Sequence, residues 1–189
     1  MLNRLKKTKS EGFTIIEVMI VLAIAGLILL IVFLAVPALQ RSGRNTQRKS
    51  DASAMAAAIS TYIGNSNTGS IPVGAPGTAT AGEIQFCDTT GCPATSKVTE
   101  TAKLGYYDNT NVFAGTTLAA GVTFTPTTVV PAAYGTAVSK DTVMIAYKGS
   151  CDTTTQGKVN YSPRSVSVIY VTESASSNAN GGTIQCVEQ

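Results

Sequence analysis

The sequence contains no histidine. Histidine is the base that activates the nucleophile in Ser-His and Cys-His pairs, so those catalytic classes are excluded. The P-loop pattern GxxxxGKS or GxxxxGKT is also absent, which excludes ATP hydrolysis by that route. Acids such as Asp88 and Asp108 stand singly among threonine, glycine and asparagine. We therefore predict a protein that is not an enzyme and that needs no cofactor and no metal.

Charged residues are scarce, at 13% of the chain, and one long stretch lacks them entirely. From Val18 to Leu39 the run is apolar, interrupted only by Gly26 and Pro37. About 20 apolar residues in a helix cross a hydrocarbon core of about 30 Å, so the segment is competent to span a membrane. The charged residues of the first twelve positions are Arg4, Lys6, Lys7, Lys9 and Glu11, and Glu17 stands directly before the run. This positive bias places the N-terminus in the cytoplasm and the remainder outside.

Three ordinary explanations of this N-terminus meet difficulties. A secretory signal peptide has an apolar core of about 7 to 15 residues followed by a small-residue cleavage site, and this run is longer and lacks such a site. A lipoprotein needs a cysteine at the end of the run, whereas the first cysteine is Cys87. A plain membrane anchor leaves Glu17 unexplained, because a carboxylate in a membrane-spanning helix is costly and usually marks a function.

The N-terminal residues KSEGFTIIEVMIVLAIAGLILL resemble the class III signal of type IV pilins and the related pseudopilins. The resemblance covers residues 1 to about 40 and consists of a basic leader ending in Gly12, then Phe13, then Glu17 and an apolar helix. It implies cleavage after Gly12 by a prepilin peptidase, which also methylates the new amine of Phe13. It further implies that Glu17 serves subunit assembly.

The charge of Glu17 agrees with that role on physical grounds. After cleavage, the amine of Phe13 is a cation at the first position of the chain, and the carboxylate of a neighbouring subunit could meet it in a filament core. Either charge left alone in such a core suffers a desolvation penalty of several kcal/mol, so the pair would set the subunit register. The alternative is that Glu17 reaches the headgroups or pairs with its own N-terminus in the membrane.

The net charge of +3 is a property of the leader. The leader carries four of the 14 bases and one of the 11 acids, so the chain from Phe13 onward is neutral. The remaining bases are a juxtamembrane cluster and scattered single positions; the cluster is Arg41, Arg44, Arg48 and Lys49. No dense positive stripe suited to phosphate contacts results, so direct nucleic-acid binding is not predicted.

The helix is expected to continue beyond the membrane. Apolar residues recur at helical spacing on one face, with Ser50, Asp51 and Ser53 largely elsewhere; the apolar set is Ala52, Met55, Ala56, Ile59, Tyr62 and Ile63. A helix from about Thr14 to Ile63 would span roughly 75 Å. We thus divide the chain into a leader (1–12), a membrane or filament-core helix (13–40), its amphipathic continuation (41–63) and an extracytoplasmic head (64–189).

The head is predicted to be rich in β-structure. Residues 64–82 are typical of a loop, and short runs of β-prone residues follow, separated by turn signals such as TTTQGK and NANGG. The predicted strands are 83–86, 121–125, 142–148, 165–173 and 183–188. The last three are expected to form an antiparallel meander. The predicted fold class is α+β: a long N-terminal helix packed on a small antiparallel sheet, as in the pilin fold.

The four cysteines all lie on the side predicted to be extracytoplasmic, where disulfides persist. Three pairings are compatible with the sequence. We favour Cys87 with Cys92, closing CDTTGC, and Cys151 with Cys186, joining a strand end to the last strand. A zinc site built from all four thiolates is the competing interpretation, although the spacing and the lack of histidine are unfavourable to it.

Single acids and tyrosines of the head are assigned ordinary structural roles. Asp141 and Asp152 lie in loops and could contact calcium, as in some pseudopilins, but turn formation is the favoured interpretation. Tyr106, Tyr107 and Tyr161 are taken as core or surface aromatics.

The resemblance implies a structural subunit of a type IV pilus. It would be held in the cytoplasmic membrane by its helix, then polymerised into a helical surface filament by a separate ATPase and a platform protein. A type II secretion pseudopilin or a competence pilin would share this N-terminus. A membrane-anchored binding domain is the alternative from another class.

Overall fold

The computed structural model describes residues 12–66, 72, 82–88, 92, 99–115, 122–127, 129, 131, 133–174 and 182–189. The chain divides into two compact units, an N-terminal unit up to Gln40 and a C-terminal unit from Arg41 to Gln189. The leader up to residue 11 and most of the predicted loop at 64–82 lie outside the described residues. The fold is α+β, with a long N-terminal helix and β-sheets, as the sequence predicts.

Helix α1 extends from Ile15 to Asn65, close to the predicted limits. The apolar run has no strong breaker except Pro37, which lies inside the helix. In the N-terminal unit the large apolar side chains are exposed, with values that range from 39% at Val36 to 89% at Phe13. The helix is long and apolar enough to cross a membrane, judged by length and composition.

The C-terminal unit consists of the second part of α1 and several short sheets. The strands are β1 (Glu83–Cys87), β2 (Thr99–Lys103), β3 (Val112–Gly115), β4 (Val122–Thr123), β5 (Thr125–Thr127), β6 (Ala137–Ser139), β7 (Val143–Cys151), β8 (Lys158–Thr172) and β9 (Thr183–Glu188), with a short 3-10 helix at Asn109–Asn111. The main sheet has the order β3-β7-β8-β4, and β9 also pairs with β8. Strands β1 and β2 form an antiparallel pair, and β5 and β6 form a parallel pair.

The predicted meander is confirmed, since β8 pairs antiparallel with both β7 and β9. Strand β8 begins earlier than the predicted strand at 165–173, because its pairing with β7 resumes beyond an irregularity in which residues 162–165 of β8 lie opposite Lys148. The sheet is mixed and not purely antiparallel, as β3 lies parallel to β7. Strands β2, β3 and β6 were not predicted, since their short threonine- and alanine-containing sequences carry little alternation.

Among its described residues the C-terminal unit has two core clusters, of which one is formed by α1 and the sheets and the other by strand and loop residues without the helix. The predicted apolar stripe of the helix is buried at Ala52, Met55, Ala56, Ile59 and Tyr62, and Ile63 is partly buried. These side chains pack in one cluster with strand residues such as Ile145 and Val168. Burial of each large side chain contributes roughly 1.5 to 3 kcal/mol, so this stripe is the main attachment of the helix.

Candidate functional site

Glu17 and Thr14 form a reciprocal hydrogen-bonded pair at the start of α1. The Thr14 backbone N–H and hydroxyl donate to Glu17 Oε2 over 2.9 and 2.8 Å, and the Glu17 backbone N–H lies 3.3 Å from Thr14 Oγ1. This is a capping box, which satisfies N–H groups that the first turn leaves without helical partners. Thr14 is not among the predicted site residues, although the T-x-x-E spacing of residues 14 to 17 signals such a box.

Gly12 and Phe13, the predicted cleavage and methylation residues, precede the helix. Both are exposed, and no described atom lies within 4 Å of the position that a Cβ on Gly12 would occupy. Phe13 lines a shallow apolar depression on the helix surface, together with Glu17, Val18, Val21 and Leu22. The backbone on both sides of the Gly12–Phe13 bond is therefore non-helical and open.

Glu17 is the only charged side chain between Phe13 and Gln40. The apolar residues that surround it are exposed, and none of the most apolar window of the helix is buried. An apolar surface of this length needs lipid or other apolar helices to cover it, because water solvates it poorly. The carboxylate of Glu17 therefore lies on a surface that needs lipid or another apolar helix as a partner.

A second polar cluster lies in the C-terminal unit, where Glu173 meets the helix after the end of β8. Its carboxylate accepts hydrogen bonds from Arg44 at 3.1 and 2.7 Å and from Arg48 at 2.8 Å. Its backbone exchanges two further bonds with the Asn45 side chain, at 2.8 and 2.9 Å. The pKa of Glu173 is lowered to about 2, and the hydrogen bond from Arg44 is the largest cause. Partial burial acts in the opposite direction, and Arg48 lowers the pKa further.

Arg48 is the centre of this cluster and is fully buried. It donates to Asn45 Oδ1 at 2.9 Å and to the Tyr106 hydroxyl, and its guanidinium lies 4.2 Å from the centre of the Tyr106 ring. The Tyr106 hydroxyl in turn donates to Asp141 at 2.9 Å. Two members of the predicted basic cluster, Arg44 and Arg48, are thus paired with Glu173, a contact that the sequence did not indicate.

The sequence places Asp51 largely away from the buried face of the helix, and this prediction is wrong. Its side chain is buried, and its carboxylate accepts hydrogen bonds from the backbone N–H groups of Gly105, Tyr106 and Tyr107. The donor distances run from 2.7 to 3.2 Å. A buried carboxylate is tolerated here because three consecutive N–H groups compensate for its lost hydration.

The structure contains two disulfides, Cys87–Cys92 and Cys151–Cys186, with Cα atoms 5.5 and 5.9 Å apart. Both pairs are those favoured from the sequence. Among the described residues no group of three or more histidine, cysteine or acidic side chains is arranged to hold a metal ion.

Asp152 closes a turn of the C-terminal unit. Its Oδ1 accepts from the backbone N–H groups of Thr154 and Thr155 at 2.8 and 2.9 Å, and Lys158 lies 3.4 Å from Oδ2. The hydrogen bonds from Thr154 are the main reason why the pKa of Asp152 is lowered. The Asp152 carboxylate thus takes part in turn formation and in an ion pair with Lys158, in agreement with the favoured interpretation.

Tyr107 is a core residue, Tyr106 contacts Arg48, and Tyr161 is exposed. These positions correspond to the core and surface roles assigned from the sequence.

Comparison with known proteins gives one result. A family described as the prokaryotic N-terminal methylation motif matches residues 7–33. Neither the curated proteins nor the solved structures that were compared include a match to the chain. The motif implies processing by a prepilin peptidase, and the helix that carries it is an apolar membrane anchor. The chain therefore carries the class III signal typical of type IV pilins and pseudopilins, a family of structural and non-enzymatic proteins, together with an α+β architecture like that of a pilin.

Proposed function

We propose that this chain is the structural subunit of a type IV pilus. A prepilin peptidase hydrolyses the Gly12–Phe13 bond, so that water supplies the new carboxylate of Gly12 and the new amine of Phe13. The same enzyme methylates that amine. The subunit stays in the cytoplasmic membrane through residues 13–40 until a separate assembly ATPase and a platform protein extract it into an extracellular filament.

The position of Glu17 carries the proposal. It is the only charge of the apolar helix, it lies one helical turn from Phe13, and the apolar surface around it is uncovered. The capping box uses one carboxylate oxygen, Oε2, and the described contacts leave Oε1 without a partner. A second copy of the chain brings both an apolar helix to cover this surface and a Phe13 amine to pair with the carboxylate.

Such packing joins a carboxylate of one copy to an amine of the next. The two partners are different surfaces, so the contact is heterologous and repeats as an open helical fibre. A misplaced copy would bury two unpaired charges, at a cost of several kcal/mol for each ion. The pair thus selects one subunit register along the filament.

The test is the identity of sheared surface fibres. We expect fibres that contain this chain with an intact mass that begins at N-methylated Phe13. Gly12→Val should instead accumulate a membrane precursor that is longer by the leader, residues 1–12. Among the described residues, apart from the chain neighbour of Gly12, none lies within 4 Å of the added Cβ, so we expect the block to be in the peptidase.

Other outcomes would assign a different function to the chain. Cleaved subunits confined to the cell envelope would indicate a pseudopilin, and fibres present only in cells that take up DNA would indicate a competence pilin. A chain that keeps Met1 and stays monomeric would support a membrane-anchored binding domain and would overturn the proposal.

A further inference from the structure

Within the C-terminal unit, helix α1 changes the chemistry of its packing between Asp51 and Ala52. Residues 41–51, with the sequence RSGRNTQRKSD, contain no apolar side chain. Their described contacts with the rest of the unit are made by polar and charged side chains, chiefly Arg44, Asn45, Arg48 and Asp51. Residues 52–63 pack instead through the apolar stripe. We call residues 41–51 the polar segment and residues 52–63 the apolar segment.

The polar segment is attached to the rest of the unit at two places. One is Glu173, whose carboxylate is bound by both arginines and whose backbone N–H and C=O both bond to the side-chain amide of Asn45. The other is the set of N–H groups of residues 105–107, which donate to the Asp51 carboxylate. Water can hydrate all of these groups when they separate, so each contact contributes little net free energy. The attachment of the polar segment is therefore weaker than its number of hydrogen bonds indicates.

The polar segment is also a poor helix by itself. Gly43 and the serine, threonine, asparagine and aspartate residues of the segment form helices less readily than alanine does. The apolar segment has five alanines within residues 52–58. The helical state of the polar segment therefore depends on its contacts with Glu173 and with residues 105–107.

We propose that the polar segment is a latch. It opens from the C-terminal unit with loss of its helix, while the apolar segment and the sheets stay packed. Opening breaks the contacts at Glu173 and Asp51 but leaves the apolar stripe covered. The helix of the C-terminal unit then begins at Ala52 and not at Arg41, and residues 41–51 become a flexible tether before it. The helix breakers of the apolar run, Gly26 and Pro37, lie outside this latch.

Amide hydrogen exchange of the full chain in detergent micelles separates latch opening from unfolding of the whole unit. Amides 46–51 report on the latch, because each bonds to the carbonyl group four residues earlier in the helix. Amides 56–62 report on the apolar segment for the same reason. In wild type, amides 46–51 should exchange about tenfold faster or more. Their exchange should also depend less on denaturant, because opening exposes little apolar surface.

Ile59→Val is the decisive variant. Ile59 is fully buried in the apolar segment, so it stays packed whether the latch is closed or open. The substitution should lower the protection of amides 56–62 by roughly twofold to tenfold. It should leave the protection of amides 46–51 within about twofold of wild type, because the closed and open states lose the same packing.

Glu173→Gln should act on the latch itself. It removes the negative charge that Arg44 and Arg48 share in the closed state. Protection of amides 46–51 should fall by about tenfold or more, since charge-assisted hydrogen bonds are lost. Arg44→Gln is a milder second variant, because the Arg44 side chain is partly exposed. It decides the question if Glu173→Gln does not fold.

The matched control is Glu100→Gln. Glu100 accepts a hydrogen bond of 2.8 Å from Asn65 at the far end of the same helix, in an exposed position. This variant removes one carboxylate that contacts α1, as Glu173→Gln does, but it leaves the polar segment intact. Protection of amides 46–51 should therefore stay at the wild-type value.

Equal loss of protection at amides 46–51 and 56–62 in Ile59→Val would overturn the proposal, since the two segments would then open only together. Unchanged protection of amides 46–51 in the variants of Glu173 and Arg44 would overturn it as well, since these contacts would not hold the segment. A lack of protection at amides 46–51 in wild type would show that the latch is never closed, with the same consequence. None of these outcomes depends on whether the chain forms filaments.

Discussion

Thr14 and Glu17 each hydrogen-bond the other across the first turn of α1, so the carboxylate has a structural task within its own chain. A capping box of this kind is worth about 1 kcal/mol of helix stability. This contribution to stability is small compared with the free-energy cost of burying a lone charge in an apolar core. Substitutions at Thr14 and at Glu17 can therefore distinguish the capping role of the carboxylate from the role of its charge.

Glu17→Ala should insert into the membrane and be cleaved, but should assemble very poorly. Insertion becomes easier without the charge, by roughly a few kcal/mol. Each added subunit would then bury a Phe13 amine without a partner, a loss of roughly 3 to 5 kcal/mol at every step. Glu17→Gln should resemble alanine more than wild type. The measurement is the ratio of sheared fibres to cleaved subunit in membranes.

Thr14→Ala is the control for that experiment. It removes the hydroxyl of the capping box and leaves the carboxylate of Glu17 in place, so fibre yield should stay near wild type. Equal loss of fibres in Thr14→Ala and Glu17→Ala would mean that helix capping, and not pairing with the amine, is what assembly requires. Wild-type yield from Glu17→Ala would make the carboxylate incidental.

Acid should weaken the C-terminal unit partly through Glu173. The pKa of this carboxyl is lowered from 4.5 to about 2, chiefly by the Arg44 hydrogen bond. The folded state then binds fewer protons than the unfolded state, so the contribution is complete above pH 4.5 and is lost as the pH falls to about 2. Glu173→Gln should be less stable at neutral pH and should lose less on acidification. Denaturant midpoints at several pH values measure both effects.

The lowered pKa of Asp152 gives the wild type a second source of acid sensitivity in the same direction. Asp152→Asn is therefore the control variant, and it should retain the part of the decline that belongs to Glu173. A pH profile of Glu173→Gln that runs parallel to wild type would contradict the assignment. The chain has no histidine, so no ordinary side-chain pKa introduces a change between pH 5 and 8.

Alkylation of the unreduced protein should label none of its four cysteines, and peptide mapping should join Cys151 to Cys186 and Cys87 to Cys92. In the loop-entropy description, loss of the Cys151–Cys186 bridge should lower the free energy of unfolding by about 4 kcal/mol, and loss of the shorter Cys87–Cys92 bridge by about 2 kcal/mol. Paired serine variants measure each cost. Recovery of free thiols or of bound zinc from native protein would refute this connectivity.

Two tyrosines offer a contrast in hydrogen bonding. The Tyr147 hydroxyl is buried and has no partner among the described residues, and burial raises its pKa, so it stays neutral. Tyr147→Phe should leave the free energy of unfolding unchanged or raise it by about 1 kcal/mol, since an unsatisfied polar group is removed. Tyr106→Phe should lower it by about 1 to 2 kcal/mol, since Arg48 and Asp141 lose a partner. Equal destabilisation in both would show that the Tyr147 hydroxyl has a partner.

The sequence predicts the parts of the molecule that depend on local periodicity. The limits of α1, its apolar stripe from Ala52 to Tyr62 and the meander of β7, β8 and β9 all follow from residue spacing. The T-x-x-E spacing from Thr14 to Glu17 is likewise a local signal, and it predicts the capping box that the structure contains.

The polar cluster of the C-terminal unit was not predictable in this way. Arg48 and Asp51 are charged, and charged residues are almost never fully buried unless they are paired. Glu173 lies 125 positions from Arg48, and the N–H groups that bind Asp51 lie 54 to 56 positions from it, so no local pattern connects these groups. One sequence signal could have indicated that these charged residues are buried. Arg48 and Asp51 lie one turn before Ala52 and Met55, on the same face of the helix.

The hydrogen bonds to Asp51 bear on how a soluble piece of this protein can be prepared. A fragment that begins at Arg41 removes the membrane segment and keeps Arg44, Arg48 and Asp51 with their partners. A fragment that begins at Ala52 keeps the whole apolar stripe but leaves three consecutive N–H groups and Glu173 without the groups that satisfy them. The usable boundary for crystallisation or immunisation therefore lies before Arg44, well inside what the sequence presents as one continuous helix.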